Sequence, residues 1–332
     1  MNHDFIAIGD TVIDAFINLN KEDAEVVCTT EGKPCKLQLN FGEKVPYHDV
    51  EVINAVGNAA NAAVAAHRLD LKTGLVSNLG HDRNGKDCID ALRQEGVSTD
   101  FVRIHENRLT NYHYVLRYGA ERTILIKHEH YPYSLPRFPE PPRYFYFSSI
   151  GENTLPFHHE IADYVKEHPQ TKLVFQPGTF QIRVGTTELR DIYERTEILF
   201  CNKEEAQYIL NTQENDVRKL LDGIRKLGPR IPVITDGSNG AYALDAEGNG
   251  WFMPIYPDPG PPVDRTGAGD AFASTFTAAL ALGYDVKTAL AWGPINSMSV
   301  VQYIGAQRGL LKREELEKFL AKAPENYVAT PL

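Results

Sequence analysis

Short apolar runs alternate with helix-forming segments along most of this chain, and that alternation restricts the fold more than any other feature. The run Phe5 to Ile8 has no polar side chain, as expected of a strand that is buried on both faces of a sheet. Because such runs are separated by helical segments, we predict an α/β fold, a three-layer α/β/α sandwich with a mostly parallel central sheet. The predicted strands span residues 5–8, 72–78, 144–149, 173–176, 198–201 and 232–235, and the predicted helices span 58–69, 87–95, 189–194, 203–210 and 216–227.

Two segments show instead the period-2 alternation of exposed strands. Residues 15–52 alternate apolar and polar side chains between turn signals, and residues 112–126 predict a hairpin that turns at 118–121. We expect both segments to form one small β-sheet that stands off the main body as a lid. The predicted α/β domain is therefore 1–14, 53–108 and 130–332, and the predicted lid is 15–52 and 109–129.

The segment from Asp264 to Asp270 precedes a long apolar helix. Within it, Gly267, Ala268 and Gly269 leave backbone N–H groups open at the helix N-terminus, where the helix dipole also favours an anion. Asp270 follows directly. A carboxylate at an anion site suggests a base that takes a proton from a substrate hydroxyl while the turn holds a transferring phosphoryl group. An acidic residue in the first turn of an ordinary helix would give the same pattern.

Composition limits the partners and the compartment. The net charge is −10, which argues against a general binder of nucleic acid or of a membrane surface. No apolar run approaches the ~20 residues of a membrane span, and we expect a cytoplasmic protein. Cys28, Cys35, Cys88 and Cys201 show no metal-binding spacing, and we interpret all four as free thiols in a reducing compartment, although Cys28 and Cys35 are near enough in sequence to pair.

Six motifs follow one another in the order found in the ribokinase-like (PfkB-type) carbohydrate kinases, and the chain resembles that family over nearly its whole length. The motifs are 9–14, similar to the N-terminal sugar motif; 57–62, similar to the Gly-Gly-Asn segment with Val56 in place of the first glycine; 80–85, the Gly-x-Asp-x-x-Gly turn; 202–205, the Asn-x-x-Glu motif; 235–240, the nucleotide loop; and 264–270, the C-terminal signature. Each motif alone is weak, whereas all six in sequence are specific.

The resemblance implies a ribokinase-like fold and transfer of a phosphoryl group from ATP, with Mg²⁺, to a hydroxyl of a sugar or sugar-like substrate. It implies that Asp270 is the base and that Gly267, Ala268 and Gly269 form the anion hole. The residues implied to contact the acceptor are Asp14, Gly57, Asn58 and Asn61. Those implied to bind ATP are Asn202, Thr235, Gly237, Gly240, Thr266 and Asn296; Glu205 with Asn202 would organise Mg²⁺ through water, and Asp264 with the turn 305–307 would lie beside a monovalent cation such as K⁺.

Several of these residues also fit a purely structural interpretation. Asn202 and Glu205 match a helix cap with its capping box, which we favour over a metal role when the motif is taken alone. Asp14 fits a turn after a strand, and Asn58 fits a helix cap. Arg265, beside the anion turn, is equally well explained as a phosphate contact or as a solvent-exposed arginine.

Other patterns are rejected. Gly80 to Lys86 nearly spells a phosphate-binding loop, but the next residue is not the Ser or Thr that would bind Mg²⁺. His128 and His130 would share one face of a strand but lack further metal ligands, and His158 is interpreted as part of a solvated helix start. No Gly-x-Gly-x-x-Gly follows the first strand, which disfavours a nicotinamide-dependent dehydrogenase.

We therefore predict an ATP-dependent sugar kinase, with a nucleoside kinase of the same fold as the alternative. Tyr112 and Tyr114 share one face of a lid strand and would suit a nucleoside base, whereas Asn111, His113 and Arg117 share the other face and would suit a polar or phosphorylated sugar. The sequence leaves open which face points inward. A non-catalytic sensor is a further alternative, and the exposed lid strands predict a homodimer through the lid.

Overall fold

The structure, a computed structural model, describes residues 3–28, 35–119 and 121–332. The strands are β1 (Phe5–Ile8), β2 (Val12–Leu19), β3 (Ala24–Cys28), β4 (Cys35–Leu39), β5 (Tyr47–Val56), β6 (Thr73–Gly80), β7 (Val102–His105), β8 (Asn111–Tyr118), β9 (Glu121–Leu125), β10 (Tyr144–Phe147), β11 (Lys172–Phe175), β12 (Thr196–Asn202), β13 (Ile231–Thr235), β14 (Ala241–Leu244), β15 (Gly250–Met253) and β16 (Thr330–Pro331). The helices are α1 (Asn58–Arg68), α2 (Arg83–Gln94), α3 (Leu155–Glu167), α4 (Thr179–Val184), α5 (Arg190–Arg195), α6 (Lys203–Ile209), α7 (Val217–Lys226), α8 (Ala268–Ala281), α9 (Val286–Val300) and α10 (Arg313–Ala321).

The large sheet has the strand order β16-β15-β14-β13-β12-β11-β10-β1-β6-β7. Pairing is parallel from β13 to β7 and antiparallel from β13 to β16. One apolar core, which includes residues of α1, α8 and α9, lies on one face of this sheet, and a second, which includes residues of α3, α5 and α7, lies on the other. The predicted three-layer α/β/α sandwich is therefore confirmed, and its strands are buried because helices cover both faces.

A second sheet of four strands, in the order β5-β2-β8-β9, contains strands from both segments that were predicted to form a lid. Strand β2 runs parallel to β8 and antiparallel to β5, and β8 and β9 form the predicted hairpin. The hairpin β3–β4 is not part of this sheet and pairs only within itself. Strand β2 begins at Val12, inside the predicted α/β range 1–14, and the division into two domains stays a prediction.

The expectation of four free thiols was wrong. A disulfide joins Cys28 to Cys35, because the β3–β4 register places these two residues directly opposite each other, with Cα atoms 4.0 Å apart. Cys88 and Cys201 are buried and free, and burial raises the pKa of the Cys88 thiol to about 12.

Three local predictions need correction. Helix α2 begins at Arg83, before the predicted position 87, because Asp82 caps it by accepting a hydrogen bond from the Gly85 N–H. His128 and His130 lie after the end of β9 and not on a strand. His158 is not solvated but buried within α3, and burial lowers its pKa to about 4. In the ranges 3–28, 35–119 and 121–332, no helix combines the length and the apolar character that a membrane span requires.

Candidate active site

The turn before α8 has a backbone that a ligand could approach closely. Gly267 caps the helix with a left-handed backbone, φ +80°, and a Cβ at this position would lie 2.3 Å from the Ala306 Cβ. A Cβ on Gly269 would meet no atom within 4 Å. One glycine thus packs against the neighbouring turn while the other faces open space, and the first N–H groups of a fourteen-residue helix are available there for an anion.

Asp264 links this turn to the turn at Gly305 by hydrogen bonds. Its Oδ1 accepts hydrogen bonds from the Thr266 N–H at 3.0 Å and from the Thr266 hydroxyl at 2.8 Å, and its Oδ2 accepts from the Gly305 N–H at 3.0 Å. The residue is fully buried. Because both carboxylate oxygens and the Thr266 hydroxyl are occupied by protein groups, we propose neither a K⁺ site at Asp264 nor an ATP contact through the Thr266 hydroxyl.

Asp270, in the first turn of α8, is held by three side-chain amides. Asn58 and Asn61, one helical turn apart on α1, donate to Asp270 Oδ1 and Oδ2 respectively, each at 2.9 Å. Gln176, directly after β11, donates to Oδ1 at 3.1 Å. Tyr146 in turn donates to the Gln176 Oε1. The structure therefore brings Asn58 and Asn61 to Asp270, so that they orient its carboxylate, and their contact with an acceptor stays a proposal.

The pKa of Asp270 is raised above its usual value because burial disfavours the charged carboxylate. The amides of Asn61, Gln176 and Asn58 act in the opposite direction, and so does the charge of Arg122 on β9. A carboxylate with a raised pKa and a fixed orientation is a stronger base than an exposed one, which is what proton abstraction from a hydroxyl requires.

Gln176 was not among the predicted site residues, although it ends an apolar strand at the sheet edge where ligands bind. We expect Gln176→Met to lower turnover about tenfold, because Asp270 loses a charge-assisted hydrogen bond. The same loss removes an influence that lowers the Asp270 pKa, so the acidic limb of the pH–rate profile moves to higher pH. Steady-state ADP release between pH 5 and 9 measures both effects, with Gln207→Met on α6 as the control. An unshifted profile would contradict this role.

Asn202 and Glu205 form a capping box at the start of α6. The Asn202 N–H donates to Glu205 Oε2, and the Glu205 N–H donates to Asn202 Oδ1, both at 2.8 Å. Burial raises the pKa of Glu205, and the negative charges of Glu204 and Asp270 act in the same direction. The cap accounts for the motif locally, and the half-buried Glu205 carboxylate is in addition suited to an outer contact with Mg²⁺.

The predicted nucleotide loop follows β13. Gly240 has φ +94°, and a Cβ there would lie 2.4 Å from the Met253 carbonyl oxygen, so its role is close packing against β15. A Cβ at Gly237 would meet nothing within 4 Å. Thr235 ends β13 at the same edge as Asn202, its register partner on β12. Thr235 and Gly237 therefore stay candidates for the ATP site.

Asn296 does not reach this edge. Its side chain is completely buried, its Nδ2 donates to the Thr275 hydroxyl at 2.7 Å, and its Oδ1 accepts from the Leu311 N–H at 2.9 Å. The amide has no polar atom left for a nucleotide, which corrects the expected adenine contact. Arg265 is exposed and its Nε lies 3.9 Å from a carboxylate oxygen of Glu121, which favours the interpretation as a surface arginine.

The four-stranded sheet presents its polar face to the site. Asn111, His113 and Arg117 are buried, whereas Tyr114 is 49% exposed. Arg117 donates to the Val263 carbonyl oxygen at 2.8 Å, just before the anion turn. The inward face is thus the one predicted to suit a polar sugar, and the tyrosines lie on the outer face.

Asp14 lies on the inner face of β2, beside His113 in the β2–β8 register. The Asp14 residue is 8% exposed, and its Oδ1 is buried with no hydrogen-bond partner among the residues that the structure describes. Gly57, φ +108°, lets the start of α1 pass close to this strand, since a Cβ there would lie 2.6 Å from the Asp10 carbonyl oxygen. An unpaired buried carboxylate oxygen is costly unless a ligand fills its hydrogen-bonding capacity.

Within the described part of the chain, no group of three or more His, Cys, Asp or Glu side chains is arranged to hold a metal ion. Mg²⁺ commonly keeps several waters and binds through one or two carboxylates together with substrate phosphates. Glu205 as a single half-buried carboxylate fits that donor set.

The chain is also similar in sequence to known proteins. The model of the pfkB family carbohydrate kinases matches residues 25–313. Among curated relatives, a ribokinase of Bacillus subtilis is 26% identical over 273 residues, which cover 80% of this chain and 87% of the relative.

Solved structures show the same fold. A nucleoside kinase of Methanocaldococcus jannaschii matches with a TM-score of 0.76 and 20% identity, over 97% of this chain and 100% of that chain. A ribokinase of Arabidopsis thaliana, solved in complex with ribose and ATP, matches with a TM-score of 0.75 and 20% identity, over 96% of this chain and 99% of that chain.

Proposed function

The chain belongs to the pfkB family of carbohydrate kinases, and we propose that it transfers the γ-phosphate of ATP to a hydroxyl of a sugar. One observation carries this proposal: a half-buried carboxylate, Asp270, is held by three amides directly beside an open, small-residue helix N-terminus. A base that abuts an anion site matches the two charges of phosphoryl transfer, the proton that leaves the hydroxyl and the phosphoryl group that arrives.

Each residue has one task in this proposal. Asp270 accepts the proton of the acceptor hydroxyl, and the N–H groups of Gly267, Ala268 and Gly269 stabilise the charge of the transferring group. Asp14 binds acceptor hydroxyls on the other side. Thr235 and Gly237 line the ATP site, and Mg²⁺ bound near Glu205 would neutralise phosphate charge. Closure of the four-stranded sheet over the acceptor would exclude water and limit ATP hydrolysis.

The metal role of Glu205 is separable from its capping role. We expect Glu205→Gln to keep the fold, because glutamine also completes a capping box, and to raise the Mg²⁺ concentration for half-maximal activity about tenfold, because one charge is lost. Glu315→Gln is the matched control, since Glu315 accepts from the Lys312 N–H in the capping box of α10. ADP release is measured against Mg²⁺ concentration. Equal curves for both variants would contradict the metal role.

A nucleoside acceptor is the second candidate, because a cavity lies next to Asp10 on the acceptor side. It has a volume of about 350 Å³ and is lined by residues that include Gly151, Asn153 and Phe180. A Cβ on Gly151 would lie 3.6 Å from Asp10 Oδ2. The base of a nucleoside could pack against the Phe180 ring in this cavity, whereas the tyrosines of β8 face outward and could not contact it.

A screen of ADP release distinguishes these candidates. We expect turnover with at least one pentose, hexose or sugar phosphate, and no more than weak turnover with ribonucleosides. A preference for ribonucleosides would select the second candidate. ATP binding without ADP release from any acceptor would indicate a sensor, and binding of a nicotinamide cofactor would indicate a dehydrogenase.

We also propose a homodimer through the outer face of the four-stranded sheet. Val50, Val52, Tyr114 and Leu125 are each about half exposed on this face. The register places Val52 and Tyr114 on either side of Ala15, with Leu125 beyond Tyr114, so the apolar side chains are contiguous. A monomeric mass in solution would contradict the dimer.

We further propose a cytoplasmic location. This proposal rests on the use of ATP and no longer on the cysteines.

A further inference from the structure

Two aspartate–histidine pairs lie on the acceptor side of the site. His128 Nδ1 lies 3.0 Å from Asp10 Oδ2, and His113 Nδ1 lies 3.5 Å from Asp14 Oδ1. Both aspartates belong to the segment 9–14. The two histidine rings make an edge-to-face contact, with centroids 5.4 Å apart and planes at 66°. The two pairs nevertheless differ in what is left for a ligand.

The Asp10 pair is saturated by the protein. Asp10 Oδ1 accepts from the Tyr133 hydroxyl at 2.6 Å, and Oδ2 accepts from the Gly151 N–H at 2.8 Å in addition to facing His128. Asp10 therefore anchors His128 and has little capacity for a substrate.

The Asp14 pair is unsaturated. Asp14 Oδ1 and His113 Nε2 are both buried, and neither has a hydrogen-bond partner in the described part of the protein. His113 is 9% exposed, and its ring is fixed by His128, which itself packs edge-on against Phe180 at 5.7 Å. A buried ring nitrogen without a partner costs free energy, so a rigidly held one indicates a site that a ligand completes.

We propose that His113 binds the acceptor by accepting a hydrogen bond at Nε2 from one hydroxyl, beside a second hydroxyl that donates to Asp14. This inference rests on the proposed function and extends it to acceptor specificity. With the Nδ1–H directed at Asp14, the neutral ring presents Nε2 as an acceptor for a hydroxyl proton. Asp14 and His113 lie side by side in the β2–β8 register, so together they suit two neighbouring hydroxyls of one acceptor. The substrate class is therefore a sugar with a vicinal diol.

Two substitutions separate binding by Nε2 from a structural role of the ring. Asparagine places its amide near the position of Nδ1 and leaves the Nε2 position empty, whereas glutamine reaches the Nε2 position. We expect His113→Asn to raise the acceptor KM about 10- to 100-fold, and His113→Gln to raise it clearly less. The KM for ATP should stay unchanged in both. His159→Asn is the matched control, because His159 also faces an aspartate, Asp191, at 2.6 Å on the surface.

The assay uses the acceptor that gives the fastest ADP release by the unmodified protein among D-ribose, D-fructose, D-fructose 6-phosphate and adenosine. Partial rescue by glutamine, with an acceptor-specific change in KM, supports the inference. An unchanged acceptor KM in His113→Asn would overturn it. Equal losses in both variants with a parallel fall in thermal stability would also overturn it, since they indicate a structural ring. If the unmodified protein uses none of the four acceptors, the assay takes the fastest acceptor of the wider screen of pentoses, hexoses, sugar phosphates and ribonucleosides. If that screen also gives no ADP release, the proposed function fails and this inference fails with it.

Discussion

Asp270→Asn should lower turnover by about 10²–10⁴-fold, the usual contribution of a general base, while ATP binding is retained. The substitution keeps the size of the side chain and keeps an oxygen for the donors of Asn58 and Gln176. It removes the uptake of a proton from the acceptor hydroxyl, and it also removes the acceptor oxygen that faces the Asn61 amide. ADP release gives turnover, and a fluorescent ATP analogue gives the affinity for nucleotide.

Stability provides a second measurement of the same variant. Because burial raises the pKa of Asp270 in the folded protein, the ionised carboxylate opposes folding. The protonated carboxyl is the form that favours folding. Its contribution to stability is fully present below the unfolded pKa of about 3.9 and is lost as pH rises through the raised pKa of the folded protein. Asparagine has no such loss, so the difference in the free energy of unfolding between Asp270→Asn and the unmodified protein should move in favour of the variant over that pH window.

Asp285→Asn is the control for both measurements. Asp285 caps α9 on the surface by accepting from the Thr288 N–H at 2.8 Å, and asparagine caps a helix equally well. We expect turnover to stay unchanged. Burial acts to raise the pKa of Asp285, but the hydrogen bonds from Thr288 outweigh it and lower that pKa, so the stability difference for Asp285→Asn should move in favour of that variant as pH falls, the opposite direction to Asp270→Asn. Near-normal turnover in Asp270→Asn would contradict the assignment of the base.

The sequence predicts the large sheet because its strands are continuous apolar runs separated by helices, a local pattern. It also predicts that Asn58 and Asn61 share a helix face, since they are three residues apart. It does not predict their common partner, because Asp270 lies more than 200 positions further along the chain. Only the packing of α1 against α8 brings these groups together.

The errors have the same origin. Asn296 was expected at the nucleotide because the resemblance places it on a late helix near the adenine, whereas packing places its amide between two internal partners. Cys28 and Cys35 were expected to stay free because a reducing compartment was inferred from the absence of metal-binding spacing. A seven-residue separation does not reveal strand register, and the β3–β4 pairing places the two residues opposite each other. Gln176 and His113 were missed or left undecided because orientation of a side chain relative to a distant element is a tertiary property.

Gly269→Ala and Gly267→Ala should have opposite effects on stability and a common effect on activity. At Gly269 a methyl group meets no protein atom within 4 Å, and the position is helical, so alanine should stabilise α8 by about 0.5–1 kcal/mol. That methyl group would nevertheless occupy the space beside the anion-binding N–H groups. We expect turnover to fall about 10²–10³-fold, as when an oxyanion donor is lost.

At Gly267 the same substitution places a Cβ 2.3 Å from the Ala306 Cβ and imposes φ +80° on a residue that disfavours it. Strain of this kind costs about 1–3 kcal/mol before the clash is counted, so the melting temperature should fall together with turnover. Calorimetry and ADP release on both variants test the pair. A stable and inactive Gly269→Ala identifies the turn as the phosphate site, because its loss of activity cannot come from unfolding. A stable and fully active Gly269→Ala would place the transferring phosphoryl group elsewhere and remove the basis for the kinase mechanism.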